Sequence, residues 1–208
     1  MSSASHAKLF ANLLGDAGTA TPAEVAGRAG VSPEAAAETL SALAREGLLE
    51  PMPGGGYRAT GLDSREVQEL YPAVLVLEAV AVRDAPHYDE AALARMREAN
   101  EQLVAATDSE AGARADDLFH ERLTEACGNQ RLLDVVRPLR QALMAYERVY
   151  FSTPERRSRS AAQHATIVDA LAAGDRERAA ALVRDNFTTA LPELTAELDE
   201  RAGQDRSA

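Results

Sequence analysis

From Ser64 to Arg201 the chain is divided by helix starts and helix stops, and this constrains the fold more than any other feature. Asp89, Asp108, Thr153-Pro154 and Asp175 each precede an amphipathic run. Short side-chain oxygens at that place accept from the unpaired N–H groups of a first helical turn. Gly128-Asn129 and Gly174 close runs, as glycine does at a helix end. Between these marks apolar residues recur at helical spacing: Val67, Leu70, Val74, Leu77 and Ala81, then Leu132, Val136, Leu139 and Leu143, then Ile167, Val168 and Leu171. The last run places Ala179, Leu182, Val183 and Asn186 on one face. The predicted helices start at Ser64, Asp89, Asp108, Gln130, Thr153 and Asp175. Six helices with short connections form an antiparallel bundle. Pro72 and Pro138 are expected to kink or break their helices. A polar tail is expected after Arg201.

The first third reads differently. Apolar spacing predicts a short helix over 7–15. Thr21-Pro22 and Ser32-Pro33 are caps followed by proline at the first helical position. The helix after Thr21 should bury Val25, Ala26 and Ala29, and Gly30-Val31-Ser32 should be a tight turn. The helix from Pro33 to Glu46 should bury Leu40, Leu43 and Ala44. Strands are expected at 48–50 and 57–60, around the Pro-Met-Pro-Gly-Gly-Gly turn. Three helices followed by a hairpin is the order of a winged helix-turn-helix. The fold class is therefore mainly α, with a winged helix-turn-helix over 1–62 and a helical bundle over 63–208.

Composition narrows the function. One cysteine, Cys127, excludes an internal disulfide and fits a reducing, cytoplasmic setting. The start of the chain lacks the apolar core of a secretory signal, and no stretch suits a bilayer span, so no membrane partner is expected. A formal charge of -11 argues against a general polyanion binder, though it leaves room for a local basic patch. Residues 1–60 hold four basic and six acidic residues, a net charge of -2. The start of the candidate recognition helix carries Glu34 and Glu38 where a DNA reader places Arg, Lys, Asn or Gln. Ser32, Thr39 and Ser41, with Tyr57 and Arg58 of the wing, remain as DNA-contact candidates.

Asp116 and His120 stand one helical turn apart, beside Phe119, Leu123 and Ala126. A carboxylate and an imidazole carried into an apolar bundle must be satisfied by water, by each other, by a ligand or by a metal.

Asp116-Asp117-Leu118-Phe119-His120, Ala126-Cys127-Gly128-Asn129, the stretch from Gln163-His164 to Leu171 and Gly174-Asp175 occur in one order. With Glu69-Leu70-Tyr71 and Leu77-Glu78, they resemble GntR-type transcription regulators of the FadR subgroup, whose FCD domain binds an effector. The resemblance spans about 64–200. It implies a divalent metal, zinc or nickel, beside a pocket for a small carboxylate. By position it carries the ligand set onto Asp116, His120 and His164, with Asn186 where the family has a third histidine. An amide oxygen is the harder, weaker donor. The family arginine of the first bundle helix is replaced by Val74, so Arg140 or Arg148 becomes the candidate to clamp a carboxylate.

The leading expectation is a homodimeric regulator on a palindromic operator, its affinity shifted by an effector. The alternatives are a metal-assisted lyase, isomerase or hydrolase that has lost operator binding, with His164 as base, and a ligand-binding module without catalysis.

Overall fold

The computed structural model describes residues 19–45, 49–59 and 64–205. The expected helix at 7–15, the linker 61–63, and Glu46, Leu48 and Thr60 lie outside the described residues. The chain divides into two compact units, Met1–Gly61 and Leu62–Ala208.

In the first unit, strand β1 (Thr19–Ala20) leads into helix α1 (Pro22–Ala29) and helix α2 (Pro33–Arg45). Strands β2 (Leu49–Pro51) and β3 (Tyr57–Ala59) follow. Thr21 and Glu24 form a reciprocal capping box: the Thr21 N–H donates to Glu24 Oε2 at 2.8 Å, and the Glu24 N–H donates to Thr21 Oγ1 at 3.4 Å. Gly30 ends α1 at φ 66°, a left-handed conformation that glycine adopts without steric cost. Val25, Ala26, Ala36, Leu40, Leu43 and Leu49 form the core of the unit. Ala29 is exposed rather than buried, because α1 ends there and its last turn faces solvent. β1 was not foreseen. It pairs antiparallel with β3, giving the order β1-β3-β2. A two-residue strand has no periodicity to read; only its distant partner defines it.

The second unit is helical among its described residues: α3 (Ser64–Asp84), α4 (Glu90–Ala105), α5 (Ser109–Glu125), α6 (Gln130–Tyr150), α7 (Pro154–Ala172) and α8 (Arg176–Asp205). The caps act as the sequence predicts. Asp89, Asp108, Thr153 and Asp175 each accept from an N–H of the first turn that follows, and Asn129, read as a stop, caps the next helix as well. α3 packs between α8 and α6, and α4 packs against α5 and α7. One apolar core, containing Val74, Met96, Leu103, Phe119, Leu143 and Ile167 among others, runs through the bundle.

The expected proline breaks do not occur. α3, α6 and α8 run unbroken through Pro72, Pro138 and Pro192. All three prolines are exposed. On an outer face the carbonyls left without a partner reach water, so the helix continues. α8 also extends to Asp205, past the start of the expected tail.

Gly112 marks a close approach. A Cβ there would lie 3.0 Å from Arg157 Cδ and 3.1 Å from Phe151 Cβ. Arg157 cannot easily yield, since its Nη1 donates to the Phe151 carbonyl at 2.6 Å. Gly112→Ala should therefore destabilise the bundle by about 1–2 kcal/mol despite alanine's higher helix propensity, as urea denaturation would measure.

Candidate functional site

Helical spacing puts Asp116 and His120 on one face of α5, and packing turns that face into the bundle. Both are buried, as are Glu78 from α3, Arg140 and Glu147 from α6, His164 from α7 and Asn186 from α8. Five helices thus contribute polar side chains to one place in an apolar core.

His120 Nδ1 lies 2.6 Å from Glu78 Oε2. With the proton on Nδ1, His120 donates to Glu78 and turns the Nε2 lone pair toward Asp116, whose Oδ2 is 3.8 Å away. His164 Nε2 is 3.3 Å from Asp116 Oδ1, but neither ring nitrogen of His164 has a hydrogen-bond partner. Its ring is instead held face to face on Phe119, with centroids 3.8 Å apart. Burial pushes the His164 pKa down and Asp116 beside it opposes this; the balance favours the neutral ring that a metal ligand requires. One donor atom each from Asp116, His120 and His164 lies within 4.8 Å of the others. Asn186 Nδ2 donates to Gln163 Oε1 at 2.9 Å, which leaves its amide oxygen as the remaining donor. Asp116, His120 and Asn186 line a cavity of about 20 Å³, room for one water molecule or one ion.

Arg140 stands in the middle of the carboxyls. It is 3.3 Å from Asp116, 3.1 Å from Asp117, 3.2 Å from Glu147 and 3.7 Å from Glu78. Burial works against the Asp116 anion, but His120, His164 and Arg140 outweigh it and hold that carboxyl below its usual range. Glu147 goes the other way. Burial pushes it well above the usual carboxylate range; Arg140 opposes this, while Asp116, Asp117 and Glu78 add to it. One guanidinium shared among four carboxyls does not keep all of them ionised.

Glu78 is the member of this buried cluster that the sequence reading left without a role. It belongs to the Leu77-Glu78 pair, but its link to His120 spans 42 residues and depends on tertiary packing. Gln163 was also passed over, and it orients Asn186. Arg148 is not part of the cluster; it pairs with Glu110. Val74 is buried in the core.

The DNA-contact candidates have internal partners. Ser32 Oγ accepts from the Ala35 N–H at 3.2 Å, and Thr39 donates to the Ala35 carbonyl at 2.9 Å. Ser41 and Tyr57 hydrogen-bond at 2.9 Å, tying α2 to the wing. Arg58 pairs with Glu50 at 2.6 Å, both side chains being about half exposed.

Residues 69–189 match the FCD domain family. An HTH-type transcriptional regulator in the TAR-I ttuE-ttuC' intergenic region of Agrobacterium vitis is 33% identical over 115 residues, covering 51% of this chain and 66% of that protein. The crystal structure of a putative transcriptional regulator GntR from Rhodococcus sp. RHA1 superposes with a TM-score of 0.70 at 20% identity, over 92% of this chain and 93% of that one. E. coli McbR/YncC superposes with a TM-score of 0.69 at 18% identity, over 94% of each chain. The chain belongs to the FCD-domain family and has the architecture of GntR-type regulators, a winged helix followed by an FCD bundle.

The charge state of Glu147 gives a stability test. Its folded pKa lies above the unfolded value of about 4.3, so the stability it contributes is complete below that pH and is lost as pH rises toward the folded pKa. Glu147→Gln keeps the neutral shape and removes this loss. It should match or exceed the wild type in urea denaturation at neutral pH, and its advantage should vanish near about pH 4.

Proposed function

We propose that this protein is a ligand-responsive, DNA-binding transcription regulator of the FadR subgroup, acting as a homodimer on a palindromic operator. The observation that carries the reading is the fold: a winged helix followed by an FCD bundle, in a chain related to an HTH-type regulator. A dimer surface is supported by the outer faces of α3 and α6. Tyr146 with Glu66 and Arg140 with Glu78 set these helices antiparallel, and each carries an exposed valine, Val76 and Val135.

Asp116, His120, His164 and Asn186 would hold a divalent metal, zinc or nickel. The donor set fits one. His164 has two buried nitrogens without hydrogen bonds, His120 has its tautomer fixed by Glu78, and four carboxyls face one guanidinium. A bound divalent ion would supply the missing positive charge and fix α5, α7 and α8 together. With Asn186 in place of a third histidine, it would be held less tightly than by an Asp-His-His-His set. The small carboxylate effector would be received by Arg140, which touches both the metal cluster and a larger cavity on its other side.

The decisive experiment is binding of purified dimer to DNA upstream of its own gene, with unrelated DNA as control and metal added or chelated. The expected result is selective binding that survives moderate salt and that Arg58→Ala weakens by a similar factor on every sequence. No selective binding by folded, metal-loaded dimer would favour the ligand-binding module. For the metal, calorimetry should show His164→Ala abolishing zinc or nickel binding and Asn186→His tightening it by roughly tenfold or more. Equal affinity of all three proteins would remove these residues from the site.

A further inference from the structure

A second cavity, of about 210 Å³, opens between α5 and α6 and shares His120 and Arg140 with the inner one. The inner cavity, at about 20 Å³, takes an ion or a water and no organic molecule. The outer one is ten times larger, and its two helical walls differ in chemistry.

The α5 wall accepts. Asp117, Glu121, Thr124 and Glu125 line it at helical spacing. Thr124 spends its hydroxyl proton on the His120 carbonyl at 2.9 Å, so its lone pairs remain for a donor. Asp117 is engaged by Arg140 and Glu125 by Arg122. The Glu121 carboxylate has no ion pair or hydrogen bond among the described residues.

The α6 wall donates. Arg137, Arg140 and Gln141 line it, with Leu133 and Val136 as an apolar surface. Arg140 is shared among buried carboxyls, whereas the Arg137 guanidinium has no partner among the described residues. Glu121 and Arg137 thus face one cavity from opposite walls, and no ion pair joins them. Three buried polar side chains, His120, Thr124 and Arg140, form its floor.

The geometry points to the outer α5–α6 cavity as a binding site for a small zwitterion of the amino-acid class, its ammonium on Glu121 and Thr124 and its carboxylate on Arg137 and Gln141. The inference rests on the effector reading above and sharpens it: the ligand carries a cation as well as a carboxylate. A dicarboxylate would place its second anion against Glu121 and Asp117. A diamine would place an ammonium against Arg137 and Arg140. Only the bipolar ligand meets an opposite charge on both walls. Because His120 and Arg140 belong to both cavities, occupancy here is felt at the metal cluster.

Calorimetry and thermal-shift measurements on the full chain test this, with glycine, L-alanine, β-alanine and L-glutamine as zwitterions, succinate as the dianion and putrescine as the dication. At least one zwitterion should bind, and Glu121→Gln and Arg137→Gln should each weaken it by roughly tenfold or more. Both positions are exposed, so unchanged melting of the free variants separates lost binding from lost folding. Tighter binding of succinate would overturn the ammonium subsite and leave the carboxylate effector reading standing. Tighter binding of putrescine would overturn the carboxylate subsite. Binding unaffected by either substitution would place the ligand elsewhere and overturn the inference. No binding of any probe would overturn the inference and, for this cavity, the effector reading too. A zinc titration of the same samples reports on the inner cluster independently.

Discussion

Arg140 is the contact on which the polar interior depends. Its guanidinium sits within 4 Å of carboxyls from three helices: Glu78 on α3, Asp116 and Asp117 on α5, and Glu147 on α6 itself. Several carboxyls in an apolar core would separate or take up protons without it. With it, Glu78 stays in reach of His120, and that hydrogen bond fixes which imidazole nitrogen faces Asp116. The orientation of the candidate metal ligands is thus set two contacts away, by an arginine whose buried head is kept charged by its neighbours.

The same arginine separates two spaces of different character. Toward α8 lies a volume for one ion, bounded by hydrogen-bonding atoms with unmet capacity. Toward solvent lies a volume for an organic molecule, with acceptors on one wall and donors on the other. A change on either side of His120 and Arg140 alters the electrostatic field on the other, since these groups lie in a low-dielectric interior. This shared boundary is a physical route by which ligand and ion would influence each other.

The winged unit follows a different logic. Its polar residues are used first for its own architecture: Ser32 caps α2, Ser41 holds the wing through Tyr57, and Arg58 is balanced by Glu50. Exposed pairs such as Arg58–Glu50 are weak and exchange readily for a phosphate, so internal pairing and DNA contact are compatible. The acidic start of α2 means that contacts to DNA would carry little net electrostatic attraction, and shape and hydrogen bonding would decide specificity.

Helix boundaries were legible because caps, prolines and glycines act on the nearest turn. Thr21, Asp89, Asp108 and Thr153 start helices where the sequence places them. Asp116 and His120 were legible as a pair because four residues is one turn. The breaks expected at Pro72 and Pro138 do not form, since whether the missing hydrogen bond matters depends on which face meets water. β1 was invisible because its partner strand lies far along the chain, Thr19 pairing with Arg58 and Ala20 with Tyr57. Glu78 was seen only as half of a motif, and Glu121 and Arg137 were not singled out. Sequence by itself determined the elements and the residues that could carry chemistry, because those follow from local hydrogen bonding and helical period. Tertiary structure alone decided that Arg140 rather than Arg148 enters the cluster, that Glu78 orients His120, and that two unpaired charges face one cavity. Burial and distance between helices depend on how the faces pack, and no local pattern specifies that.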